Sequence, residues 1–107
     1  MATPAVARGA DEDTVTTNHG CDSTTTCEGK STSVFVNGTG VHRKGDKNAV
    51  HEVPSGPDCV SHQNELAVGS TTVFANGKGI ARVGDLYAGT DSSAVVASGS
   101  STVFAGP

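Results

Sequence analysis

The chain repeats itself. Ser33-Val34-Phe35-Val36-Asn37-Gly38-Thr39-Gly40-Val41-His42-Arg43-Lys44-Gly45-Asp46 returns, 39 positions on, as Thr72-Val73-Phe74-Ala75-Asn76-Gly77-Lys78-Gly79-Ile80-Ala81-Arg82-Val83-Gly84-Asp85. A clipped third copy, Ser101-Thr102-Val103-Phe104-Ala105-Gly106, closes the chain, and Pro4-Ala5-Val6-Ala7-Arg8-Gly9-Ala10-Asp11 resembles the second half of the unit. A permuted threefold repeat constrains both the shape and the partner such a chain can have.

Each copy has a local reading. Residues 33–36 and 71–75 are short β-branched or apolar runs, as strands need. Asn37-Gly38 and Asn76-Gly77 follow at once, and Asn-Gly supplies the two positive-φ positions of a type I′ hairpin turn. Residues 40–44 and 79–83 are the predicted return strands, ended by Gly45-Asp46 and Gly84-Asp85. Longer connections lie between the hairpins. Residues 12–31 hold His19, Cys21 and Cys27; residues 47–66 hold His51, Cys59 and His62, with Pro54 and Pro57 excluding a helix. Residues 86–93 hold neither cysteine nor histidine. Residues 94–98 read as a further strand, 65–68 as its counterpart, and one helical turn fits around 86–89. The expected fold is all-β: a small conical pseudo-threefold structure of short hairpins, one domain over residues 1–107. Hairpin turns gather at one end and the histidine- and cysteine-bearing loops at the other.

Composition narrows the function. Apolar residues make up 35% of the 107 positions, aromatics 4%, and there is no Trp. So small a core calls for another source of order: a metal, a disulfide or a partner. A net charge of −4 leaves no basic stripe for nucleic acid. No run of about 18 apolar residues exists to span a membrane. The N-terminal stretch has no charged-then-apolar signal pattern, so synthesis in the cytoplasm without a signal peptide is expected. Three cysteines cannot all pair within one chain. That count favours thiols that bind metal or stay reduced; the alternative is one disulfide, such as Cys21 with Cys27, beside a free thiol.

The repeat over 72–85, the His19-Gly20 loop, the Cys59-Val60-Ser61-His62 element and the closing residues 99–104 resemble the PAAR-repeat (proline-alanine-alanine-arginine) proteins over essentially the whole chain. That resemblance implies a membrane-piercing cone that caps and sharpens the trimeric β-helical central spike of a contractile injection machine. The machine is a phage tail in the virion or a secreted type VI secretion spike. It implies one copy of the chain per spike trimer, transient contact with a target cell envelope, and one transition-metal ion near the apex. Zinc is the expected ion, with iron as the alternative. The naming letters appear here as Gly40-Val41-His42-Arg43 and Gly79-Ile80-Ala81-Arg82, without proline. Relatives often place a cysteine after the second Gly-Asp, whereas Leu86-Tyr87-Ala88-Gly89-Thr90-Asp91 has none.

Closed structural zinc sites take four ligands from thiolate sulfur and imidazole nitrogen. The expected set is His19, His51, Cys59 and His62, with Cys21 in reserve. The three histidines match family ligand positions in order and spacing, and Cys59 resembles a cysteine that precedes a histidine in some relatives. His42 stands where the sister copy has Ala81 and reads as a surface residue. Val34, Phe35, Val73, Phe74, Val103 and Phe104 are expected in core or base contacts, the phenylalanines in the core. No catalytic motif is recognised: no nucleophile elbow, no phosphate-binding glycine loop leading into a helix. The expected function is structural, not enzymatic. The alternative is a stand-alone, metal-stabilised β-repeat binding or adhesive module.

Overall fold

Ring closure, rather than one continuous sheet, organises the chain. The computed structural model describes residues 3–107; Met1 and Ala2, the start of the N-terminal stretch and of the 1–107 domain, lie outside the described residues. The regular elements are β1 (Thr14–Thr16), β2 (Thr24–Thr26), β3 (Phe35–Val36), β4 (Thr39–Gly40), β5 (His51–Ser55), β6 (Asp58–His62), β7 (Phe74–Ala75), β8 (Lys78–Gly79), a 3-10 turn (Gly89–Asp91) and β9 (Val95–Val96). The fold is all-β, with long dimensions of 41 × 30 × 22 Å.

Both Asn-Gly pairs do what a type I′ turn requires. Asn37 and Gly38 have φ of 53° and 81°, Asn76 and Gly77 of 56° and 77°. They join β3 to β4 and β7 to β8. The third hairpin is assembled from both ends of the chain: Val6 N–H donates to Val103 O, and Ala105 N–H to Pro4 O. The sequence permutation is thus repaired in space.

Three concentric sets of bonds close the ring. On the axis, Ala7 N–H donates to Ala81 O, Ala81 N–H to His42 O, and His42 N–H to Ala7 O, at 2.9, 2.9 and 3.1 Å. Farther out, each turn is gripped by a serine of another copy. Ser100 Oγ donates to Asn37 Oδ1, Ser31 Oγ to Asn76 Oδ1, and Ser70 Oγ to Gly106 O. Arg8–Asp13, Arg43–Asp46 and Arg82–Asp85 form three equivalent two-pronged ion pairs. Each arginine also donates to the turn acceptor of its set: Asn37, Asn76 or Gly106. Charge-assisted forks of this kind are among the stronger hydrogen bonds. They hold together a chain poor in apolar side chains. Burial alone would push the Asp13 carboxyl up; the bonds from Arg8 and Ser98 outweigh it and hold the group below the usual range.

The core comes in two layers. In the axial segments Val6, Val41 and Ile80 join Val36, Ala75 and Ala105 beneath the hairpins. One residue further along, Ala7 and Ala81 join Val15, Cys27, Leu66, Tyr87, Ala94 and Val96. Beyond that second layer lie Asn48 and Asp91, both fully buried.

Three expectations change here. Residues 51–62 form a hairpin with five-residue strands, β5 and β6, rather than an irregular loop. Pro54 is tolerated because neither strand pairs beyond the hairpin. Phe35, Phe74 and Phe104 are outside the core, 58%, 57% and 53% exposed, because strand alternation turns their neighbours Val36, Ala75 and Ala105 inward. His42 is fully buried rather than on the surface. Its Nδ1 donates to Gly29 O at 2.7 Å, its Nε2 meets the Tyr87 hydroxyl at 2.8 Å, and that hydroxyl lies 3.6 Å from Cys27 Sγ. Burial pushes the Cys27 thiol up to about 12 despite the bond from Tyr87, so this free cysteine is a poor nucleophile.

Burial also lowers the His42 pKa below its ordinary value. The folded state then favours neutral imidazole, while the unfolded chain takes up a proton near pH 6.5. Stability from this group is intact above about pH 6.5 and is lost as the pH falls through the folded pKa. His42→Ala, the residue of the sister copy, is expected to cost about 2–4 kcal/mol at pH 7.5. It should also flatten the acid limb of the stability–pH profile relative to the parent. Urea denaturation between pH 7.5 and 5 reads both effects; an identical acid limb in the two proteins would contradict this account.

Candidate metal centre

Three elements converge beyond the second core layer. In hairpin β5–β6 the register sets His51 opposite His62, on one face. Their Nε2 atoms are 2.8 Å apart. His19 arrives from the β1–β2 loop, flanked by Asn18 and Cys21 in left-handed conformation, φ 58° and 67°. Asp91 ends the 3-10 turn that Gly89 begins at φ 63°. A side chain at Gly89 would also fall 2.5 Å from Asn64 Oδ1, so that position excludes one twice over. Asp91 Oδ1 lies 3.0, 3.1 and 3.0 Å from Nε2 of His19, His51 and His62. One ligand atom from each of the four residues lies within 4.8 Å of every other.

The surroundings aim these atoms inward. His19 Nδ1 faces Gly20 O at 2.9 Å and His51 Nδ1 faces Ala49 O at 2.8 Å. A carbonyl oxygen only accepts, so both Nδ1 atoms carry the proton and both Nε2 atoms present lone pairs. His62 Nδ1 meets the Thr90 hydroxyl at 2.9 Å. Asn48 and Asn64 donate to Asp91 Oδ2 at 3.0 and 3.1 Å, leaving Oδ1 for the histidines. Burial acts to raise the Asp91 carboxyl, but the bonds donated by Asn48 and Asn64 lead the opposing causes and bring it to about 2. The aspartate is therefore an anion throughout the neutral range.

This donor set fits a cation. Inward lone pairs and a carboxylate oxygen repel one another unless a positive charge lies between them. Outer partners fixing each imidazole are the usual company of a metal ligand. Tetrahedral bonds of 2.0–2.1 Å place ligand atoms about 3.3 Å apart; four of the separations here are 2.8–3.1 Å, and those from His19 to the other two imidazoles lie within 4.8 Å.

A family-level comparison matches residues 14–92 to the PAAR motif. This chain belongs to the PAAR-motif family. Among curated proteins, nothing matches it.

Against the ligands expected from sequence, this PAAR-motif chain brings together His19, His51 and His62 but not Cys59. Cys59 is bonded to Cys21, Cα–Cα 6.1 Å, across 38 positions, so neither is a thiolate ligand. That pairing also replaces the expected thiols and the Cys21–Cys27 alternative; Cys27 is the free cysteine. Strand alternation explains the displacement of Cys59. It pairs with Pro54 three residues along β6 from His62, and an odd separation points the two side chains to opposite faces. Asp91 takes the fourth place in the cluster. It stands in the loop, 86–91, that holds neither cysteine nor histidine. The available signal was that zinc also accepts carboxylate oxygen.

Proposed function

We propose that this chain caps and sharpens the trimeric β-helical spike of a contractile injection machine, a phage tail or a type VI secretion system, as a structural piercing tip. The observation that carries the reading is the trio Phe35, Phe74 and Phe104. Identical aromatic side chains, each more than half exposed, occupy equivalent places in the three copies. Exposed aromatics of this size mark an interaction surface. Threefold repetition within one chain lets a monomer present the same contact to each subunit of a trimer. Short strands at that end can also extend the spike's sheets and satisfy their free backbone groups. The layers then run from aromatic base, through two small cores, to the histidine apex, where Zn²⁺ held by three imidazoles and Asp91 would pin the loops. The chain would be made in the cytoplasm, ride at the spike tip, and touch the target envelope only on firing.

Coexpression with a cognate spike protein is expected to yield a complex of one copy of this chain with three spike chains by native mass spectrometry. Three copies per trimer, or no complex, would overturn the capping reading. The latter result would favour a stand-alone binding module.

A further inference from the structure

Hairpin β5–β6 stands apart: among the described residues its strands pair only with each other, and of its ten strand residues His51 alone is buried. A lone two-stranded hairpin is marginal in water. At its base, His51 and His62 join the candidate metal centre. Farther along, Glu52 N–H donates to Asp22 Oδ2 at 2.7 Å and Asp22 N–H to Glu52 O at 3.2 Å. Nearer its tip, Cys59 is bonded to Cys21. These last two ties end on the same short loop, residues 19–22, which also delivers His19. The disulfide therefore joins the two segments that supply all three imidazoles. Cys21 itself sits in a left-handed conformation that a residue with a side chain seldom adopts.

We propose that the Cys21–Cys59 disulfide is the lock of the metal centre, so that retention of the cation depends on redox state. The inference rests on reading the His19, His51, His62 and Asp91 cluster as a metal centre. Closing the lock joins the two Sγ atoms. The two thiol hydrogens, with their electrons, pass to a small-molecule disulfide such as oxidised glutathione, which leaves as two thiols. A thiol reductant runs the exchange backwards. With the lock open, no covalent tie shorter than the long chain between them joins the His19 loop to the hairpin, and the cation has only the Asp22–Glu52 hydrogen bonds to help gather them. With the lock closed, an imidazole that lets go stays beside the ion and rebinds. A tip loaded with metal in a reducing compartment would be sealed on meeting an oxidising one.

The test uses the full chain loaded with Zn²⁺ and a chromogenic chelator in excess. Oxidised protein is expected to lose zinc at least about tenfold more slowly than protein held in a thiol reductant. The Cys21→Ser/Cys59→Ser double variant should lose it at the fast rate in both buffers. Equal rates in oxidised and reduced parent protein overturn the lock while leaving the metal centre standing. Absence of stoichiometric zinc in every state overturns the metal centre and the lock with it. Should reduction unfold the chain, amide hydrogen exchange of oxidised, metal-free protein decides: the lock requires residues 51–62 to stay protected, and exchange at the rate of a free peptide refutes it.

Discussion

Stripping zinc from zinc-loaded protein with a strong chelator is expected to lower the thermal midpoint by about 20 °C or more. Structural zinc supplies roughly 10–16 kcal/mol of apparent binding free energy, and whole domains are stable by only about 5–15 kcal/mol. Losing even about 4 kcal/mol of that contribution, at about 5 °C per kcal/mol for a chain of this size, gives the stated shift. The loss should be local at first. Hairpin β5–β6 and the His19 loop should exchange their amides faster than in zinc-loaded protein, though short of free-peptide rates while the disulfide is closed; Ala7, His42 and Ala81 on the axis stay protected, since their bonds do not involve the histidine cluster. His51→Ala and His62→Ala should reproduce the effect without chelator, with zinc content well below one per chain. Asp91→Asn should do the same by a second route. Its amide oxygen would take the bonds from Asn48 and Asn64, turning the NH₂ toward the imidazole lone pairs where the ligand oxygen had been. A midpoint that moves less than about 2 °C on chelation of zinc-loaded protein would show that the cluster is held by its own hydrogen bonds and that the ion is incidental.

The second large effect concerns the base. Phe35→Asp, Phe74→Asp and Phe104→Asp together should abolish assembly with a spike trimer while leaving the thermal midpoint within a degree or two. Burying one phenylalanine is worth about 1.5–3 kcal/mol. Three lost contacts amount to at least about 4.5 kcal/mol, a fall in affinity beyond a thousandfold. Each single substitution should weaken binding about 10- to 100-fold, with similar sizes for the three because the copies are equivalent. The folded monomer should be nearly indifferent, since changes at exposed sites away from special contacts cost little. Titration calorimetry of the spike trimer with the variants, beside their melting curves, separates the cases. A triple variant that melts far below the parent would return the phenylalanines to the core; one that binds normally would move the spike contact elsewhere.

Local backbone chemistry is written in neighbouring residues. Asn37-Gly38 and Asn76-Gly77 needed no partner to announce their turns, because positive φ at two successive positions is a property of those residues themselves. The repeat announced the threefold plan, and even its permutation, since copies of one unit must bury one another. The three histidines were legible for a related reason: imidazoles gathered into two connections between hairpins have few other uses. Asp91 was harder, because a carboxylate in a Gly-Thr-Asp loop looks like any turn residue until Asn48 and Asn64 are seen to claim its outer oxygen.

What the tertiary structure alone decided is which face of each element is covered. Phe35 and Val36 are adjacent and both apolar, and only ring closure turned the smaller one inward. His42 and Ala81 hold equivalent places, yet Tyr87 and Cys27 make room for the imidazole on one side of the axis. Cys59 and His62 share a strand, and its alternation sent one to a disulfide and the other to the histidine cluster. A residue's chemistry travels with it along the chain. Its partners come from copies dozens of residues away, and they are chosen only when the ring closes.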